Sequence, residues 1–197
     1  MLEPVFRVTG VRKMASLAAV GQALVVCLLL ALPATAQDLL PAPELGPGGL
    51  WAADWIHPTT GDLRADLAAA AHQGRILALF WERPGCEYCA DLHLNSLRRP
   101  ELRAFVTGSF YAVRLRRFGD SEIVDLDGET YTEREVAIRH RVLGTPTIEF
   151  HLADGTEVFR IPGAAAPAVL LAAFEFVTLG GYLHASFADW LEARGLL

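Results

Sequence analysis

Lysine is nearly missing from this chain. Among 197 residues the only lysine is Lys13, and arginine supplies nearly all the remaining positive charge. The formal net charge is -6, and no stretch clusters basic with aromatic side chains. Nucleic-acid recognition needs such a basic, aromatic-interleaved surface, so that class of partner is excluded. Cysteine is scarce as well, with three in the chain. What the chain does have is apolar residues, 52% of the total, enough for one globular domain with a sizeable core.

The first 36 residues read as a targeting segment. Arg7, Arg12 and Lys13 form a basic start, followed by the apolar run ASLAAVGQALVVCLLLAL and then PATAQ. Ala34-Thr35-Ala36 fits the small-x-small rule for cleavage before Gln37. The competing reading is an uncleaved anchor, but Gly21 and Gln22 interrupt a run already short for a membrane span. Val26 before Cys27 argues against a lipoprotein signal, and there is no twin-arginine pair. An ordinary secretory signal is expected, giving a periplasmic protein with no stable membrane insertion after cleavage. Cleavage removes three positive charges and one negative, taking the net charge from -6 to -8. It also removes Cys27 and leaves only Cys86 and Cys89, in a compartment where disulfides form.

Residues 37–60 begin with the Pro- and Gly-rich QDLLPAPELGPGGL and are expected to be a loose leader before a domain over 61–197. Leu63, Leu67 and Ala70 space a helix over 62–72, with Gly74 stopping it. RILALFW, residues 75–81, is a short continuous apolar run and reads as a buried central strand. The turn ERPG leads to Cys86, and a helix is expected from Glu87 to Leu97. Pro100 opens a short helix, and FYAVRLR over 110–116 alternates as a strand does. Thr132-x-x-Glu135 is a capping box opening a helix to about Arg141. A strand over 147–152, a turn at Asp154-Gly155 and a strand over 157–161 form a hairpin. Pro167 opens a long apolar helix ended by Gly180-Gly181, and Ser186 caps a last helix over 187–194. Trp190, Phe187 and Leu191 are read as packing for that helix. Asp125-x-Asp127-Gly128 has some features of a calcium loop, but the EF-hand register fails at Ile123 and Arg134, so it is read as a hairpin turn.

The motif that carries chemistry is GCEYC. It falls between a central strand and a helix, where free backbone N–H groups and a partial positive charge stabilise a thiolate. Cys86 is expected to be the exposed nucleophile and Cys89, one turn in, the resolving thiol. Their spacing reaches disulfide distance without moving the backbone. Three uses stay open: redox exchange, a metal site of zinc or of copper with His93, and a structural bridge. A structural zinc needs more Cys or His ligands than lie nearby. A bridge closing so small a loop stabilises little. Residues 144–148, GTPTI, add a proline directly before a strand, where Pro146 is a candidate cis peptide.

Strand, CxxC, helix and a Thr-Pro-Thr before a hairpin together resemble the thioredoxin superfamily. FWERPGCEYCADLH, VDLDGETYTEREVAIRHRVLGTPTIEF and DGTEVFRIPG together look like the periplasmic, SoxW-type thioredoxins of sulfur oxidation. The resemblance runs from about Leu63 to Leu179. It implies an α/β thioredoxin fold: a central mixed sheet flanked by helices, here with an extra C-terminal helix. It implies a thiol-disulfide oxidoreductase with no cofactor beyond the Cys86–Cys89 couple, and with the loop of Thr145 and Pro146 against that couple. Thr145 would offer main-chain groups to an extended substrate segment. The implied partners are a membrane thiol-electron transporter and exported thiol or disulfide proteins, such as sulfur carriers or cytochrome c maturation factors. The alternatives are a disulfide oxidase or isomerase, and a copper chaperone.

Three features depart from the family pattern. The buried aspartate of the central strand is missing, with Glu82 the nearest candidate for proton handling and a solvated loop carboxylate its plain alternative. The residues between the cysteines are Glu87 and Tyr88, not Gly-Pro. No proline interrupts the active-site helix before Pro100. His93, four residues past Cys89, could tune that thiol or be an ordinary half-buried histidine. Glu87 should oppose a thiolate at Cys86, while the helix start and Arg83 favour it. The net result is a couple expected to donate electrons rather than take them. The reduced protein is expected to hold no stoichiometric zinc or copper, because ligands beyond the two cysteines are lacking.

Overall fold

The computed structural model describes residues 39–197. The expected signal segment, with Cys27 and Lys13, lies outside these residues. Five strands make the main sheet in the order β3-β5-β4-β8-β9. They are β3 (Ile56–Pro58), β4 (Ile76–Glu82), β5 (Phe110–Arg116), β8 (Thr147–His151) and β9 (Glu157–Pro162). β3, β5 and β4 run parallel, β8 pairs antiparallel with β4, and β9 pairs antiparallel with β8. The sheet is therefore mixed. Small pairs stand beside it: β1 (Glu44–Leu45) with β2 (Trp51–Ala52), and β6 (Glu122–Val124) with β7 (Thr130–Thr132).

β4 sits at the centre because both its faces are apolar. Ala78 and Phe80 enter one core, and Leu77, Leu79 and Trp81 enter the other. Both cores are covered by helices: α1 (Leu63–His72), α2 (Glu87–Asp91), α3 (Pro100–Ser109), α4 (Glu133–Arg139), α5 (Pro167–Thr178) and α6 (Phe187–Glu192). Leu92 and Leu97, just past α2, join α3 and α5 over the first face, where Phe174 meets Phe110 and Phe150 edge-on at 5.0 and 5.3 Å. Each such fully buried ring stabilises the fold by roughly 1.5–3 kcal/mol through area alone. α1 and α4 cover the second face with Leu63, Ala70, Val136 and Ala137.

The local signals act where they were expected. Thr132 and Glu135 form a reciprocal capping box on α4, and Asp125 to Gly128 turns the β6–β7 hairpin. Ser186 and Asp189 cap α6, whose Trp190 indole donates to the Ala172 carbonyl at 3.0 Å. Gly181 packs so tightly that an added Cβ would sit 2.5 Å from a Phe176 ring carbon.

Three expectations are corrected. Residues 37–60 are not simply a loose leader: β3 is an edge strand of the main sheet, and β1–β2 folds as a hairpin. Leu40 also exchanges hydrogen bonds with Arg98, and Gly49 packs against Pro84 in the turn before Cys86. The helix expected to run unbroken from Glu87 to Leu97 changes pitch: α2 ends at Asp91, and a π turn carries Leu92–Ser96. The last helix stops at Glu192 rather than Arg194.

Candidate active site

β4 delivers the chain through the exposed turn Arg83-Pro84-Gly85 to Cys86, which is the N-cap of α2. Gly85 takes a φ of 65°, the left-handed region that favours glycine, and this bends the chain from strand into helix. Cys86 and Cys89 are joined as a disulfide with Cα atoms 5.2 Å apart. Cys86, expected to be exposed, is buried together with Cys89. Cys86 keeps 6% of its surface exposed and Cys89 keeps 1%. The covering comes partly from the segment read as leader: Leu45, Gly49 and Trp51 line one groove with Cys86, Arg83 and Glu87.

Three groups address the Cys86 sulfur. The Cys89 N–H donates to Sγ at 3.1 Å, and the Thr145 hydroxyl donates to it at 3.3 Å. The Thr145 carbonyl oxygen lies 3.4 Å away, placed to accept from the thiol once the pair is reduced. All three groups are neutral. Arg83 turns its guanidinium to the carbonyls of Pro84 and Gly85 instead. The Thr145–Pro146 peptide is cis, and the Gly163 N–H anchors the loop by donating to the Pro146 carbonyl at 2.7 Å. Beside the loop, a second groove is lined by Leu143, Gly144, Thr145 and Pro162. Tyr88, between the cysteines, and Leu143, in the groove beside Thr145, stand 68% and 93% exposed.

Glu82 and His93 overturn their plain readings together. Glu82 is the last residue of β4 and is fully buried, not a solvated loop carboxylate. His93, in the π turn, is 1% exposed and not a surface histidine. Its Nε2 meets Glu82 Oε1, while Glu82 Oε2 has no hydrogen-bond partner. Trp51 stacks on the imidazole with ring centres 6.2 Å apart. A buried carboxyl oxygen without a hydrogen-bond partner is costly. The pair joins the end of the strand before Cys86 to the helical turn after Cys89. With Nε2 taken by Glu82, His93 does not offer that nitrogen as a third ligand beside the cysteines.

Sequence reasoning missed the role of Trp51 and the β1–β2 hairpin. Their only signal was an aromatic residue after PGGL, which reads equally as a loop anchor. It also missed a buried group of His140, Glu149 and His151 away from the cysteines.

The model of the thioredoxin-like domain family matches residues 63–178. The chain belongs to that family. Its fold and its CxxC disulfide are those of a thiol-disulfide oxidoreductase. The chain is similar to a thioredoxin-fold protein from Helicobacter pylori, at 23% identity over 61% of this chain and 80% of that one, with a TM-score of 0.52. It is similar also to a thioredoxin from Thermus thermophilus, at 24% identity over 64% of this chain and 90% of that one, with a TM-score of 0.50. Identities this low establish a shared fold alone. No curated protein matches the sequence.

Proposed function

We propose that the protein is an exported reductant of protein disulfides, working by dithiol exchange. The observation that carries this reading is the all-neutral surrounding of Cys86 Sγ. A thiolate is the attacking species, so some stabilisation is needed, and two donors supply it. No lysine, arginine or histidine among the described residues hydrogen-bonds that sulfur. Strong oxidants owe their potential to a heavily stabilised reduced form. Here that extra stabilisation has no cationic source, and the exposed Glu87 next door adds a negative charge.

In the forward direction the Cys86 thiolate attacks one sulfur of a substrate disulfide. A Cys86–substrate disulfide forms and the other substrate sulfur leaves as a thiolate. Cys89 then loses its proton and attacks Cys86 Sγ. The substrate's remaining thiolate departs, Cys86–Cys89 is oxidised, and two electrons have passed to the substrate. Burial of Cys89 disfavours its thiolate, so a base is useful at this step. Glu82 with His93 is the candidate for that role: the pair is buried, carries an orphan oxygen, and links the end of β4 before Cys86 to the π turn after Cys89. An extended substrate segment would lie along the grooves beside Thr145 and Cys86, with Tyr88 and Leu143 as apolar contacts.

The export signal and the DLDGE and DGTEVF segments support a periplasmic site of action with sulfur-carrier or cytochrome c maturation proteins as substrates. A membrane thiol-electron transporter would then recharge the couple. Cys86→Ser should abolish disulfide reduction of insulin, and Cys89→Ser should accumulate a mixed disulfide with it. An adduct forming instead through Cys89 in the Cys86→Ser protein would reverse the assigned roles.

A further inference from the structure

Away from the disulfide, two histidines and a carboxylate converge. His140 caps the end of α4, while Glu149 and His151 stand two apart on β8. Ile148 and Phe150 of that strand enter the core under α5, and Glu149 takes the opposite direction to meet His140. His140 Nδ1 is 2.8 Å and His151 Nε2 is 3.4 Å from the same oxygen, Glu149 Oε2. All three ligand atoms lie within 4.8 Å of one another.

The outer nitrogens decide what the inner ones can do. His140 Nε2 lies 2.9 Å from Asp125 Oδ1, and His151 Nδ1 lies 3.1 Å from the Gly155 carbonyl oxygen. Both of those partners only accept, so each outer nitrogen carries the hydrogen. A neutral ring then turns its lone pair inward. Two imidazole lone pairs and a carboxylate oxygen would face one another, which is repulsive without a positive occupant. An outer N–H held by a carboxylate or a carbonyl is also the usual support of a metal-bound histidine. A second sign is Glu149 Oε1. The residue is fully buried, and this oxygen has no hydrogen-bond partner, while Arg160 Nη2 forms an ion pair with it at 3.4 Å. His140 and His151 also line an open cleft of about 430 Å3.

We propose that His140, Glu149 and His151 bind a divalent transition-metal ion of the zinc type, with solvent from the cleft completing the coordination. Two nitrogens and one carboxylate with an open fourth position suit zinc. Arms of about 2.05 Å in a tetrahedron set donors ~3.3 Å apart. The His151–Glu149 distance already fits, and His140–Glu149 needs to open by about half an ångström. The ion would tie the end of α4 to β8, the strand that starts directly after Pro146. Protons are the rival occupant. Burial opposes charge on His140, but Asp125 and Glu149 outweigh it and raise its pKa to about 9. Burial also opposes charge on Glu149, yet His140 and His151 lower its pKa to about 2.

The test uses the oxidised protein without a histidine tag, stripped of metal, so that the thiols are blocked. Zn2+ is titrated against a chromophoric chelator at pH 8, where protons compete less, and Co2+ serves as the spectroscopic probe. The expected result is one Zn2+ per chain, and tetrahedral Co2+ bands with no thiolate charge-transfer absorption. Asp125→Asn should weaken binding roughly tenfold through the lost support of His140. Glu149→Gln and His151→Gln, which keep side-chain bulk if truncation disturbs folding, should weaken it further. A Cys86→Ser/Cys89→Ser protein should bind as the parent does. No Zn2+ binding at pH 8, or binding unchanged by Glu149→Gln and His151→Gln, would leave protons as the occupant and overturn the proposal. Binding lost with the cysteines would overturn it as well.

Discussion

Thr145→Val removes one hydroxyl and little else, because valine keeps the branched shape. The hydroxyl donates to Cys86 Sγ at 3.3 Å. A hydrogen bond to a charged acceptor contributes about 1.5–3 kcal/mol, and sulfur as acceptor puts this one at the low end. Taking about 1.4 kcal/mol lost from the thiolate, the titration of the Cys86 thiol should move up by about one pH unit. The same loss destabilises the reduced form. For a two-electron couple it makes the potential more negative by about 30 mV at most, when measured above both pKa values. The disulfide sulfur also accepts weakly, which trims the shift. Thiolate absorbance against pH reads the first quantity, and equilibration with glutathione buffers reads the second. An unchanged titration, or a potential moving to the oxidising side, would show that the hydroxyl does not stabilise the attacking sulfur.

Other consequences can be checked separately. Glu82→Gln keeps the shape and a polar partner for His93 but removes the carboxylate, so the fold should hold while mixed-disulfide resolution slows at least ~10-fold; a normal resolution rate would remove Glu82 from proton transfer. Glu87→His should make the couple more oxidising, read against the same glutathione buffers, and no change would show that residue 87 is too solvated to matter. Glu133 is buried and accepts the Arg116 N–H at 2.9 Å, yet burial outweighs that bond and raises its pKa. A raised carboxyl pKa means stability declines as pH climbs from the ordinary glutamate value through the raised native one. Glu133→Gln should flatten that decline in urea melts at a series of pH values, and an identical pH profile would contradict the assignment.

Much of this fold was legible because its signals are local. RILALFW over 75–81 reads as a buried central strand and becomes β4 one residue later, at Ile76–Glu82, while FYAVRLR matches β5 residue for residue. The capping box at Thr132 and the Asp-Gly turns acted within a few residues of themselves. CxxC at a strand-to-helix junction placed Cys86 and Cys89, and the GTPTI loop placed Thr145. What the sequence hid depends on contacts distant along the chain. Trp51 stacks on His93, and nothing near PGGL announces a partner so far away. Glu82 ends β4 just before an exposed turn, and its buried partner His93 reaches back to it from the π turn. His140, Glu149 and His151 look like scattered polar residues until α4 is laid beside β8. The alternation in IEFH was the one available hint, since it sets an acid and a histidine on the same strand face.

The equilibrium potential of the Cys86–Cys89 couple in glutathione buffers tests the reductant assignment most directly. With only neutral donors on Cys86 Sγ, the value should lie on the reducing side, nearer the ~-270 mV of thioredoxin than the ~-120 mV of the strong oxidant DsbA. A couple poised near -120 mV would mean that the reduced form is stabilised by something other than Thr145 and the Cys89 N–H, and that electrons flow into this protein from its partners.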